Sequence, residues 1–133
     1  QMTNQELATC RLNDIPIKVA LINNSSLGMV RQWQNLFYDG RFSHTDLETG
    51  HGTVRVPDFV KMSEAYDCHA IRVEKPEDVD AAIEEAMSVN DRPVVVEFVV
   101  SPDSMVWPMV PAGVSNDDIL YARDLRPTHE DEE

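Results

Sequence analysis

In the stretch Leu21-Ile22-Asn23-Asn24-Ser25-Ser26-Leu27-Gly28-Met29-Val30-Arg31-Gln32-Trp33-Gln34, an apolar run breaks into a polar turn and restarts as a helix. The residues at the break suit two kinds of chemistry. A turn feeding a helix N-terminus aims free backbone N–H groups and the positive end of the helix dipole at an anion. The amide oxygen of Asn24 is also a neutral hard donor, of the kind Mg²⁺ accepts beside carboxylates and phosphate oxygens in its octahedral shell. On residue chemistry alone, an Asn-Asn turn that caps the helix is the plainer reading. Position matters here, because ligands of α/β proteins bind outside the carboxyl ends of parallel strands.

Two elements must hold that turn. Residues 17–22 are β-branched and unpunctuated, as a short buried strand should be, and residues 27–38 carry helical spacing. In that helix Met29, Trp33, Leu36 and Phe37 share one side, while Arg31, Gln34 and Asn35 fall elsewhere. By spacing alone, Met29, Val30 and Trp33 are core residues.

The remaining elements follow from the same patterns. Thr3 and Glu6 are spaced as a capping box ahead of a helix to about Leu12, and Asn13-Asp14-Ile15-Pro16 is a turn. Residues 39–57 lose periodicity and gain Gly40, Gly50, Gly52, His44 and His51, making a long polar loop of the kind that is functional or disordered. Neither histidine has the companions of a metal site, so both read as solvated. Asp58 caps a helix to about Tyr66, with Phe59, Met62 and Tyr66 inward, and residues 69–73 form a second strand. Pro76 opens a further helix, in which Val79, Ala82, Ile83, Ala86 and Met87 make an apolar stripe. Residues 94–100 are a third strand, interrupted by Glu97, for which a hydrogen bond at the sheet's edge is the expectation. Strand, helix, strand, helix, strand implies an α/β fold with a parallel sheet and flanking helices.

Beyond it, residues 101–113 form a loop with three prolines and exposed Met105, Trp107 and Met109. Ser115 or Asn116 caps a short helix to about Arg123, and the acidic end is a disordered tail, so residues 1–114 and 115–133 are the expected divisions. With 133 residues and 42% hydrophobic content, the chain can build a single core. The net charge of −13 excludes nucleic acid, which needs Lys and Arg clusters, and no apolar run is long enough to cross a membrane. Much of the acidity is local, with seven acids against one Lys over 74–91, the pattern of a solvated helix face. Cys10 and Cys68 have no metal spacing and read as reduced, buried structural thiols.

The opening stretch resembles the second half of the thiamine diphosphate signature, in which Gly-Asp-Gly is followed about two dozen residues later by Asn-Asn. Its continuation, Leu27-Gly28-Met29-Val30-Arg31-Gln32-Trp33-Gln34-Asn35-Leu36-Phe37-Tyr38, is similar to the acetohydroxyacid synthase (acetolactate synthase) catalytic subunits. Phe42-Ser43-His44-Thr45, Pro57-Asp58-Phe59 and Trp107-Pro108-Met109-Val110-Pro111-Ala112-Gly113 stand in that family's order. The resemblance implies the C-terminal part of a thiamine diphosphate-binding domain that lacks its first strand, with the metal-binding aspartate preceding Gln1. It implies that Asn24 and the backbone carbonyl of Ser26 bind Mg²⁺, and that Leu27, Gly28 and Met29 join them around the cofactor. Many members carry an acid where Ser26 stands, which costs little if the contact is through the main chain. Met29, Val30 and Trp33 would border the substrate channel.

For the whole enzyme, the resemblance implies decarboxylation of pyruvate and its union with a second 2-oxo acid, pyruvate or 2-oxobutyrate. The products are acetolactate or acetohydroxybutyrate, in branched-chain amino-acid biosynthesis. It further implies FAD on another domain, an activating glutamate from a neighbouring subunit, a homo-oligomer, a regulatory subunit and a cytoplasmic setting. No catalytic residue falls in this chain. The alternatives are a non-catalytic α/β module and a related thiamine enzyme such as glyoxylate carboligase; Gly28-Met29-Val30-Arg31-Gln32-Trp33-Gln34 argues against the latter.

Overall fold

A computed structural model describes residues 2–45, 47 and 56–121 of the chain. His51, Gly50, Gly52 and the acidic tail lie outside the described residues. The chain divides into two compact units, Gln1–Asp103 and Ser104–Glu133.

The first unit is built on three parallel strands, β1 (Lys18–Asn23), β2 (His69–Val73) and β3 (Val94–Val99), in the order β1-β3-β2. Among the described residues, four helices accompany them: α1 (Glu6–Leu12), α2 (Gly28–Phe37), α3 (Phe59–Ala65) and α4 (Val79–Ser88). β3 is central and is packed on both faces, by Ala82 and Ala86 on one and by Leu7 and Cys68 on the other, which explains its almost unbroken apolar sequence. Alternation along β3 splits the core in two. Val94 and Val96 pack with Val73, Ala82 and Ala86, joined by Ile71, Val79, Val89 and Phe98. Val95 packs on the other face with Leu7 and Cys68, joined by Val19, Leu21 and Tyr66.

Asp58 starts α3 as expected, its carboxylate accepting the Lys61 N–H at 3.2 Å. Four expectations are corrected. The Thr3–Glu6 capping box does not form, because the Glu6 N–H that the Thr3 hydroxyl would have satisfied donates to the Thr3 carbonyl at 3.1 Å; the helix instead begins after Gln5 without a side-chain cap. The α4 stripe is narrower than its apolar spacing: Ala82 and Ala86 are buried, but Ile83 and Met87 remain 47% and 61% exposed. The helix presents its small residues to the sheet, and close approach leaves the two large ones at the rim. Glu97 is not at an edge, since β3 runs between β1 and β2. Cys68 is buried, whereas Cys10 is half-buried, and both thiols are free.

In the second unit the expected helix is only a 3-10 turn, Asn116–Asp118, with the Ser115 hydroxyl accepting the Asp117 N–H at 3.2 Å. The chain then extends, because Leu120 pairs antiparallel with Met109 through N–H···O bonds of 2.9 and 2.7 Å. Met105, Trp107 and Met109 are half-buried rather than exposed. No described helix is long and apolar enough to cross a membrane.

Candidate functional site

β1 ends at Asn23 and α2 begins at Gly28, so the polar turn lies at the carboxyl end of a parallel strand. Two consecutive side chains fold back on the backbone there. Asn23 Oδ1 accepts the Ser25 N–H at 3.0 Å and Asn24 Oδ1 accepts the Ser26 N–H at 3.1 Å. These bonds hold Ser25 at φ +52°, in the left-handed region that a non-glycine residue enters only at a cost. Neither asparagine caps α2: its N-cap is Leu27, which has no side-chain cap bond. The plain capping role is therefore not what these amides perform. Each amide oxygen has a second lone pair, so Asn24 Oδ1 retains acceptor capacity after bonding Ser26.

The far side of the turn is pinned to the loop that follows α2. The Ser26 hydroxyl and the Leu27 N–H both donate to the Thr45 carbonyl, at 3.1 and 2.9 Å, and the Leu47 N–H donates to the Ser25 carbonyl at 3.1 Å. Buried Thr45 in turn donates through its hydroxyl to Gln34 Oε1 at 3.1 Å. Gln34 also bonds the Ser43 backbone through both ends of its amide, so the helix and its following loop brace the turn together. Gly28 lies directly beneath Asn24, where a Cβ would come 2.8 Å from the Asn24 Nδ2.

Periodicity placed Met29, Val30 and Trp33 in the core, and the structure corrects that. Met29 is 70% exposed and Trp33 44%, while the buried residue of α2 is Gln32. The apolar side of this helix is thus largely exposed. Arg31, on a different side, bonds Asp103 at 2.8 Å and stacks over the Phe42 ring at 4.1 Å. Asn24, Ser26, Leu27, Gly28 and Met29 occupy the turn and the first turn of α2, with Val30 and Trp33 following on the helix. His44 is exposed, and no group of three or more metal-ligating His, Cys, Asp or Glu side chains occurs among the described residues.

Sequence reasoning left Glu97 without a role, and the structure supplies partners. Its carboxylate, 2% exposed as a residue, accepts Asn23 Nδ2 at 2.7 Å on one oxygen and Arg72 Nε at 2.8 Å on the other. Arg72 also reaches Asp58 Oδ1 at 2.9 Å. The Lys61 N–H and then the Arg72 charge hold the Asp58 carboxyl below the usual carboxylate range, and the Glu97 bond raises the Arg72 guanidinium. A cavity of about 320 Å³ opens beside this chain of contacts, lined in part by Asn23, Ser25, Asp58, Arg72, Glu74 and Glu97. The available signal was an acid and a base each at the fourth position of a strand, and the register Arg72↔Glu97 brings them together.

The N–H groups of Ser25, Ser26 and Leu27 are already bonded, so the turn itself offers neutral oxygens, suited to a divalent cation, and N–H groups for an anion could come only from the first turn of α2. Residues 1–98 match the family described as thiamine pyrophosphate enzyme, C-terminal TPP binding domain. The chain is 60% identical over 132 residues to an acetolactate synthase of Mycobacterium avium, covering 99% of this chain and 21% of that protein. It is 57% identical over 133 residues to the acetolactate synthase large subunit of Corynebacterium glutamicum, covering 100% and 21%. Against the acetolactate synthase isozyme 2 large subunit of Escherichia coli it is 35% identical over 119 residues, covering 90% and 20%. The chain therefore spans about a fifth of the length of these relatives.

Proposed function

We infer, from the premise that this chain belongs to the thiamine pyrophosphate enzyme family through its C-terminal TPP-binding domain, that it forms part of the cofactor site of an acetolactate synthase large subunit. The whole enzyme, on this reading, decarboxylates pyruvate and joins it to pyruvate or 2-oxobutyrate. Thiamine diphosphate (thiamine pyrophosphate), when bound, supplies the carbanion chemistry, and the chain supplies placement.

The observation that carries the reading is the Asn24 turn above Gly28. Asn24 Oδ1 already accepts the Ser26 N–H, which orients the amide while leaving a lone pair for a cation. Asn24 Oδ1 and the Ser26 carbonyl would be oxygen ligands of Mg²⁺, two neutral members of its octahedral shell. Leu27, Gly28 and Met29 would meet the cofactor at the uncapped start of α2, where N–H groups and the helix dipole favour an anion. Met29, Val30 and Trp33 would line the substrate channel, a role that their exposure on the outer side of α2 supports. Proton transfer is assigned to no residue of this chain, and the chain alone is expected to turn nothing over.

For the whole protein we propose FAD as a second cofactor, a homo-oligomer of large subunits, a regulatory subunit and a cytoplasmic setting. The large-subunit relatives support the regulatory partner, and the free thiols of Cys10 and Cys68 suit a reducing compartment. The test is acetolactate formation from pyruvate by the full-length enzyme after chelation and dialysis. Activity should vanish and return only when Mg²⁺ and thiamine diphosphate are both restored, and Asn24→Ala should raise the Mg²⁺ needed for half-activation. Undiminished turnover without either addition would overturn the reading.

A further inference from the structure

We propose that Glu97 is a positioning residue for the Asn23-Asn24 turn: its buried carboxylate fixes which end of the Asn23 amide faces the turn and thereby sets Asn24 and Ser26 in place. The proposal rests on the cofactor reading given above for that turn.

An ionised carboxylate can only accept hydrogen bonds, so the amide group facing it must be the NH₂. Glu97 Oε1 lies 2.7 Å from Asn23 Nδ2. That orientation turns Asn23 Oδ1 toward the Ser25 N–H, which it accepts at 3.0 Å. Ser25, at φ +52°, then delivers the chain to Ser26, whose N–H bonds Asn24 Oδ1. The path from the central strand to the proposed metal oxygens therefore consists of three directed hydrogen bonds and the Ser25–Ser26 peptide link. Arg72 serves the other Glu97 oxygen and anchors it to Asp58, the cap of α3, so the carboxylate is held from two sides. A purely structural acid would need the arginine alone. The second bond runs to the turn instead, and the cavity beside it opens on Asn23 and Ser25.

A glutamine at this position could present either an oxygen or an NH₂ to Asn23, so the carboxylate's selection between the two amide orientations would be lost. Groups that orient metal ligands are worth about 10–100-fold in metal affinity. Calorimetry of thiamine diphosphate with Mg²⁺ on full-length apoenzyme, paired with amide exchange over residues 23–28, tests this on Glu97→Gln, Asn23→Ala and the double variant. Each single change should weaken cofactor binding by about tenfold and speed exchange across the turn, with kcat at saturating cofactor within about twofold of wild type. The double variant should be no weaker than Asn23→Ala, because both changes break one linkage. Unchanged affinity and exchange in a folded Glu97→Gln protein of lowered Tm would overturn the proposal, as would additive losses in the double variant. If Glu97→Gln does not fold, Asn23→Ala decides: wild-type affinity and exchange in it overturn the proposal. Wild-type enzyme indifferent to Mg²⁺ and thiamine diphosphate would remove the cofactor reading and this inference with it, whereas dependent wild type with indifferent variants removes this inference alone.

Discussion

Gly28 and Asn24 share a space that only one of them can fill: a Cβ on residue 28 would come 2.8 Å from the Asn24 Nδ2, closer than real Cβ contacts allow. The obstructing atom is the end of a side chain, so Asn24 would move rather than the backbone. Gly28 is the first residue of α2 and has no positive φ, and at such a compatible position alanine narrows the unfolded ensemble, worth about 0.4–1 kcal/mol. Gly28→Ala should therefore leave Tm unchanged or slightly raised while weakening the binding of thiamine diphosphate with Mg²⁺ to the full-length enzyme. Thermal melts and calorimetry on one preparation separate the two effects. A lower Tm with normal cofactor affinity would deny the contact its proposed importance.

Trp33 lies one turn beyond Met29, and both are exposed on α2. Were this side core, Trp33→Leu would leave a cavity and cost about 2–5 kcal/mol. On the channel reading it should leave Tm of the full-length enzyme nearly unaltered and shift the ratio of acetolactate to acetohydroxybutyrate. A pocket that distinguishes substrates by one methylene commands about 1–3 kcal/mol of such discrimination. Flat inhibitors that stack on the ring should weaken in parallel. A much lower Tm with an unchanged product ratio would return Trp33 to a packing role.

Asp58 gives the chain a definite pH dependence. The Lys61 N–H and Arg72 depress its folded pKa below the unfolded value. The stability it contributes is thus complete above the unfolded carboxylate range, near pH 4, and is lost as pH falls through the lower folded value. Asparagine can still cap α3 but does not titrate in this range. In Asp58→Asn, the urea midpoint should fall less steeply on acidification below about pH 4 than in the parent chain. Identical slopes for the two proteins would show that Asp58 carries none of the acid lability.

Among the described residues β1 pairs only with β3, so its other edge is unpaired, and an apolar cavity of about 320 Å³ lined in part by Leu7, Val19, Phe59, Met62 and Val95 opens over the β1–β3 part of the sheet. Unpaired, apolar-lined edges recruit partners. The isolated chain should self-associate in sedimentation despite its charge of −13. It should also bind Mg²⁺ with thiamine diphosphate weaker than micromolar, because an amide and a carbonyl compensate poorly for dehydrating the metal. A monodisperse monomer at high concentration, or a micromolar dissociation constant, would contradict the respective expectation.

The strands, the long helices and the Asn-Asn turn were legible in the residue order because each rests on local signals: period, punctuation and capping chemistry within a dozen residues. Asp58 as a cap needed only the three residues after it. The failures share a different cause. Strand order β1-β3-β2 places the last strand in the middle, and no local pattern states which strands become neighbours, so Glu97 read as an edge residue. Its partners lie 25 and 74 positions away: Arg72 is its register partner on β2, and Asn23 lies on β1 two residues beyond Leu21, its register partner there. Likewise, the spacing of Met29 and Trp33 established an apolar side of α2, but periodicity does not say whether the sheet covers that side. The residue of the helix that is buried is Gln32, and the apolar residues remain exposed, because burial is a property of assembled neighbours rather than of sequence spacing.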